Sequence, residues 1–269
     1  MLYCQQCGTA LPKDANFCPA CGIQVLEIKP VERHHVLKVT GKPKLIVINA
    51  APGSVKIESG SKEDEITVDL DLRLPQHLDC NVSQDENIIK VNCRAQVGVW
   101  GWPSYIFRSG PRANIFISVP SKADLDLETR AGRIAVSGVK GTITAESSAG
   151  TLSIQNCEGL IKARTRAGSV NLENVNGTVT ARSSAGSIKF SGILSKGENW
   201  FRTSVGSIDI SLKGEPNLVV EASTSLGSIR CVPELANAYQ RRNHYTGQIG
   251  AGAGRLIAET KTGSITIRH

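Results

Sequence analysis

Four of the eight cysteines in this 269-residue chain are spaced for metal chemistry. They form two pairs, Cys4-Gln5-Gln6-Cys7 and Cys18-Pro19-Ala20-Cys21, with ten residues between them. A Cys-x-x-Cys turn presents two thiolates on one side, and two such turns close a tetrahedron of Zn–S bonds of about 2.3 Å. Gly8 and Gly22 each follow the second cysteine of a pair. A residue tolerant of positive φ there lets backbone N–H groups turn back towards the sulfurs. The spacing predicts a structural Zn2+ held by Cys4, Cys7, Cys18 and Cys21. A catalytic zinc needs an open position or a non-thiolate ligand, and four thiolates leave neither.

About twenty residues cannot bury enough apolar surface to fold alone, so metal binding has to supply the folding free energy, roughly 10–16 kcal/mol in comparable peptides. Residues 1–24 resemble the short zinc ribbons found at the ends of many bacterial and archaeal proteins. Residues 25–35 read as a linker, and His34 and His35 within it as a solvated pair, since the cysteines already complete a ligand set. Cys80, Cys93, Cys157 and Cys231 are scattered singly, which suggests reduced, mostly buried thiols rather than disulfides.

The second constellation is a row of charges, visible only once the repeat that carries it is aligned. Ala131-Gly132-Arg133-Ile134, Ala149-Gly150-Thr151-Leu152, Ala167-Gly168-Ser169-Val170 and Ala185-Gly186-Ser187-Ile188 recur every 18 residues. Val205-Gly206-Ser207-Ile208, Leu226-Gly227-Ser228-Ile229 and Thr262-Gly263-Ser264-Ile265 continue the series at wider spacings. The last interval fits two coils, with Gly247-Gln248-Ile249 as a degenerate copy. A short fixed period is the signature of a solenoid.

Counted from each glycine, the second and fourth positions are apolar (Ile134 and Val136, Leu152 and Ile154, Val170 and Leu172), as in a strand with one buried face. A second strand follows Gly141, Gly159 and Gly177, with Ala145, Ala163 and Ala181 pointing inwards. Thr129, Ser147, Thr165, Ser183 and Thr203 share the inward parity. Buried hydroxyls need partners, which neighbouring coils can supply. Successive coils about 4.8 Å apart give a rod of roughly 30–40 Å. Four residues before each glycine stand Glu128, Glu146, Arg164, Arg182 and Arg202, facing solvent and flanked by Lys162 and Arg166. Stacked arginines repel, a cost that an anionic partner relieves, so Arg164, Arg182 and Arg202 form the candidate partner site.

Residues 36–121 are strand-rich but irregular. Lys44–Ile48 and Gly53–Ile57 read as opening coils, and the rest as a cap over one open end; Arg268 and His269 are expected to blunt the other. Ile115-Phe116-Ile117-Ser118-Val119-Pro120 leads into Leu125-Asp126-Leu127-Glu128-Thr129-Arg130-Ala131-Gly132 and then the Gly-Ser-Ile ladder. Over residues 36–269 this pattern resembles the prokaryotic β-strand-repeat family labelled "putative adhesin", a domain of unknown function. The resemblance implies an all-β, right-handed parallel β-helix-like solenoid with no assigned catalytic residues, and a cell-surface role.

Composition sets the remaining bounds. With 26 glycines, 4% aromatic and 20% charged residues, the chain is too apolar for disorder. It lacks the 18-residue apolar run of a spanning helix and a basic-then-apolar leader, so a cytoplasmic location is expected. Of the net charge of +7, residues 122–269 carry 18 basic against 12 acidic side chains, or +6. The expected function is non-catalytic binding or scaffolding towards a protein or an anionic polymer, with self-association also open. Nucleic acid is less favoured, because aromatics for base stacking are few and the positive charge is diffuse. A polysaccharide-cleaving β-helix is the other alternative, with Glu128 and Glu146 about 5 Å apart as the carboxylate pair. Arg130 and Arg164 beside them, and the lack of an aromatic platform, argue against it.

Overall fold

A computed structural model describes residues 2–4, 7–12, 15, 17–22, 31–60, 62–96, 110–232 and 235–269. Among them there is no α-helix, and hence none long and apolar enough to cross a membrane. At the N-terminus β1 (Leu2–Tyr3) pairs antiparallel with β2 (Ala10–Leu11). Most of the expected linker, residues 25–30, lies outside the described residues. Its last five belong instead to β3 (Val31–Lys38).

The irregular region then contributes β4 (Lys44–Asn49), β5 (Val55–Ser59), β6 (Glu65–Arg73), β7 (Leu78–Asp85), β8 (Ile88–Ala95) and β9 (Arg112–Val119). The regular run comprises β10 (Asp124–Ala131), β11 (Ile134–Ser137), β12 (Lys140–Ala149), β13 (Leu152–Gln155) and β14 (Glu158–Ala167). It continues through β15 (Val170–Ala185), β16 (Ile188–Leu194), β17 (Glu198–Val205) and β18 (Ile208–Leu212). Last come β19 (Leu218–Leu226), β20 (Ile229–Val232), β21 (Ala236–Arg241), β22 (His244–Ile249), β23 (Gly254–Thr262) and β24 (Ile265–Arg268).

From β10 to β15 the strands pair in parallel, each residue with the one 18 positions on: Glu146 with Arg164, Arg164 with Arg182, Ile154 with Leu172; β17 and β18 pair at an offset of 20. The alternating residues enter one continuous core, in which Ile134, Ile143, Leu152, Ile161, Val170 and Val179 are fully buried. Each coil contributes one strand to each of two walls.

At each repeated corner a Cβ on the glycine would overlap the carbonyl oxygen of the glycine in the coil beneath. That close approach, together with φ of 145° at Gly132, 143° at Gly168 and 147° at Gly186, is why glycine recurs there. The inward hydroxyls use the same carbonyls. Thr165 Oγ1 donates to Gly150 O at 3.2 Å, Ser183 Oγ to Gly168 O at 3.0 Å and Thr203 Oγ1 to Gly186 O at 2.9 Å. Their partners are therefore corner carbonyls and not one another.

Coil order in space departs from coil order in sequence at both ends. The final copy, β23–β24, does not terminate the stack: it lies between β17–β18 and β19–β20, hydrogen-bonded to both. The first copy, β4–β5, likewise lies between β8–β9 and β10–β11. Gly247-Gln248-Ile249 is not a degenerate coil but part of β22, which runs antiparallel to β19 and carries β21 on its outer edge. Arg268 consequently blunts nothing and instead pairs with Asp209 of the adjoining coil at 2.6 Å. The other end is covered by antiparallel strands, β7 on β8, and β6 with β3 on β9.

The cysteine expectation also needs correcting. β7 and β8 form a hairpin in which Cys80 faces Cys93, and the two are joined as a disulfide with their Cα atoms 4.1 Å apart. Spacing in sequence does not reveal this pairing; the Glu86–Asn87 turn, from which both cysteines are equidistant, does. Cys157 and Cys231 are free thiols, and burial pushes both upwards, Cys231 to about 11.

Candidate functional site

The four predicted metal ligands come together. Their sulfurs all lie within 4.8 Å of one another, with Cys4 and Cys21 3.5 Å apart and Cys7 and Cys18 3.4 Å apart. A tetrahedron with 2.3 Å bonds has edges of about 3.8 Å, so the donor set fits one tetrahedral ion. Each turn is closed as the glycines suggest: Gly8 N–H donates to Cys4 O and Gly22 N–H to Cys18 O, both at 2.9 Å, with φ of 74° and 71°. A hydrogen bond with Thr9 holds the Cys7 thiol down to about 6, favouring the thiolate a metal requires. Cys4 and Cys18 are buried with Leu11, and Cys7 and Cys21 are exposed. Among the described residues no other group of histidine, cysteine, aspartate or glutamate side chains gathers in this way. His34 lies across β3–β6 and bonds to Asp69.

The charged row is positioned by parallel register. Glu128, Glu146, Arg164, Arg182 and Arg202 occupy successive coils of one wall, all exposed. The next residue up is Glu259, because β23 is the intercalated coil, and it pairs with Arg202 at 2.7 Å. Of the three arginines expected to form the partner site, Arg202 thus has a carboxylate partner and Arg164 and Arg182 do not. Arg164 and Arg182 make no ion pair, and neither do their neighbours Lys162 and Arg166. No local pattern points to Glu259, since its place beside Arg202 follows from coil order.

Glu128 and Glu146 are also adjacent in register, and neither makes an ion pair or hydrogen bond. Arg255, on the intercalated coil, bridges Glu221 at 2.8 Å and Glu198 at 3.4 Å, and Glu221 raises its already high pKa. Lys162, Arg164, Arg166 and Arg182 make no such cross-coil pair, and Glu146 is the in-register neighbour of Arg164.

Comparison with known proteins adds two family matches. Residues 3–25 match the model of the zinc-ribbon domain, and residues 123–268, more than half of the chain, match the model described as Toastrack DUF4097. None of the curated proteins matches the chain. Among solved structures, a "putative cell adhesion protein" from Clostridium sporogenes ATCC 15579 aligns over 89% of this chain and 99% of its own, at 13% identity and a TM-score of 0.37. A "putative adhesin" from Bacteroides fragilis NCTC 9343 aligns over 88% of this chain and 96% of its own, at 11% identity and 0.34. A "putative lipid binding protein" from Parabacteroides distasonis ATCC 8503 does so over the same shares, at 9% identity and 0.36.

Proposed function

Because the chain belongs to the Toastrack DUF4097 family, we propose that it is a non-catalytic binding module whose repeat wall recognises an anionic polymer or an acidic protein face. One observation carries this reading: Arg164 and Arg182 stack in register, exposed and without a carboxylate partner. Guanidiniums one strand spacing apart repel, and a row of phosphate or carboxylate groups would relieve that cost through charge-assisted, bidentate hydrogen bonds. Against catalysis, Glu128 and Glu146 sit on an open wall beside arginines. The coil is read as right-handed, the hand that parallel crossovers overwhelmingly take. In the ribbon the ion is read as Zn2+, for which four thiolates are the common closed set, holding the two turns together without chemistry of its own.

Retention on an anionic matrix tests the proposal. Arg164→Glu combined with Arg182→Glu should abolish it, whereas Arg202→Glu, at a position already neutralised by Glu259, should change it little. Full retention of the double variant rejects the proposal. Nuclease treatment of the native protein before loading separates nucleic acid from other polyanions.

A further inference from the structure

Among the described residues each wall of the stack ends, at both ends, in a strand with one free edge, and the four edges offer different things to a partner. β21 is bulged between Ala236 and Tyr239, where Asn237 has φ of 51°, and β20 has only four residues. β7 carries Asp79 and Asp85 and no cation, so a second copy of it brings only like charge. β3 is different. Its eight residues, Val31–Lys38, pair without a break to β6 on one side and with no described strand on the other. It also stands clear of the opposite wall. Beyond the coil of β4 and β5, one wall adds β8 and β7 and the other adds β9, β6 and β3, so β3 projects one strand spacing, about 4.8 Å, past β7. A long, regular, unpaired edge is a template for another strand. Val36 on this edge is 49% exposed, and the inward-facing Arg33 is tied back to the Cys80 carbonyl at 3.4 Å.

We propose that two copies of this chain join through β3, antiparallel across a twofold axis, so that one wall runs on from copy to copy. Face parity limits the register, because outward side chains must lie opposite outward ones. Opposite the buried Ile66, Val68 and Leu70 of β6 stand Leu37, His35 and Arg33, so Glu32, His34, Val36 and Lys38 face outwards. Two registers satisfy parity and leave only one residue of β3 without an opposite. A twofold at His34 sets Glu32 against Val36 of the second copy. A twofold at His35 sets Glu32 against Lys38 of the second copy, at both ends of the ladder, and His34 against Val36. Opposite charges across strands stabilise and like charges destabilise, so the second register is the one formed. Glu32 has need of that cation: within its own chain it lies directly opposite Asp71 and makes no ion pair. Lys38 is only loosely held, 3.7 Å from Asp64 and from Glu65, and Glu65 already has Lys62 at 3.0 Å. A twofold contact closes at two chains, whereas pairing of β20 with β3 would grow a filament. The interface uses none of the arginines of the charged row, so it stands or falls apart from the polyanion reading.

Sedimentation velocity of the full chain tests this, at concentrations from about 1 μM to about 500 μM, the range suited to a small interface. The native chain should pass from monomer to dimer with no larger species. Glu32→Lys sets lysine against lysine at both ends of the ladder and should weaken the dimer about tenfold. It also removes the repulsion from Asp71, so the variant should fold, read as an unchanged β-sheet circular dichroism signal. Glu32→Lys combined with Lys38→Glu re-creates the opposite charges in reverse and should recover native association. Asp79→Lys, on β7, should leave association unchanged. A monomer at every concentration overturns the proposal, as do species beyond the dimer. So does a dimer as strong in Glu32→Lys as in the native chain, one weakened by Asp79→Lys, or a charge swap that keeps its sheet signal and does not recover association.

Discussion

A methyl group on Gly168 would have to share space with the Gly150 carbonyl, in a backbone conformation with φ of 143° that other residues rarely adopt. Gly168→Ala should therefore destabilise the fold by about 2–3 kcal/mol in chemical denaturation, strain and displaced backbone together. The same carbonyl accepts from Thr165, so at this corner one backbone atom serves both close packing and hydroxyl pairing. Cysteine chemistry is legible one residue at a time only for the metal set. Cys4, Cys7, Cys18 and Cys21 announce themselves by spacing, whereas Cys80 and Cys93 are brought together by a hairpin and not by a motif. Thiol titration of the denatured, metal-free and unreduced chain should count six groups; eight would mean that the β7–β8 pair is open.

At the scale of the element, the notable feature is a stack whose first and last coils in sequence are both interior. Removing residues 254–269 would strip the coil that joins β17–β18 to β19–β20, including the Arg202–Glu259, Arg255–Glu221 and Arg268–Asp209 pairs. The truncated chain should lose cooperative unfolding and expose two unpaired edges, read as a broadened denaturation curve and aggregation. If β23–β24 were a terminal coil, the same deletion would leave a slightly shorter rod with a sharp transition. The repeat pattern determines neighbours over only part of this stack. The period at Gly132, Gly150, Gly168 and Gly186 gives wall, corner and inward face correctly, because successive coils are neighbours there. From Gly206 onwards the nearest coil in sequence is no longer the nearest in space. Glu259 beside Arg202 and the antiparallel β22 depend on long-range pairing that no local pattern encodes.

In the whole molecule a four-cysteine ribbon precedes a stacked wall on which Lys162, Arg164, Arg166 and Arg182 make no ion pair. Chelation should unfold residues 1–24 while leaving the β-sheet circular dichroism of the body intact, since the ribbon has its own small core of Cys4, Leu11 and Cys18. Loss of the sheet signal on chelation would show that the two fold as one unit. If the wall is a partner surface, the location of Arg164 and Arg182 and not the net charge of +7 should govern binding. Inorganic polyphosphate titrated into three proteins separates the two: the native chain, Arg164→Glu with Arg182→Glu, and Lys90→Glu with Arg94→Glu on the exposed positions of β8. Both double variants change net charge equally. The first should lose binding and the second retain most of it; equal loss in both would show that net charge alone drives binding.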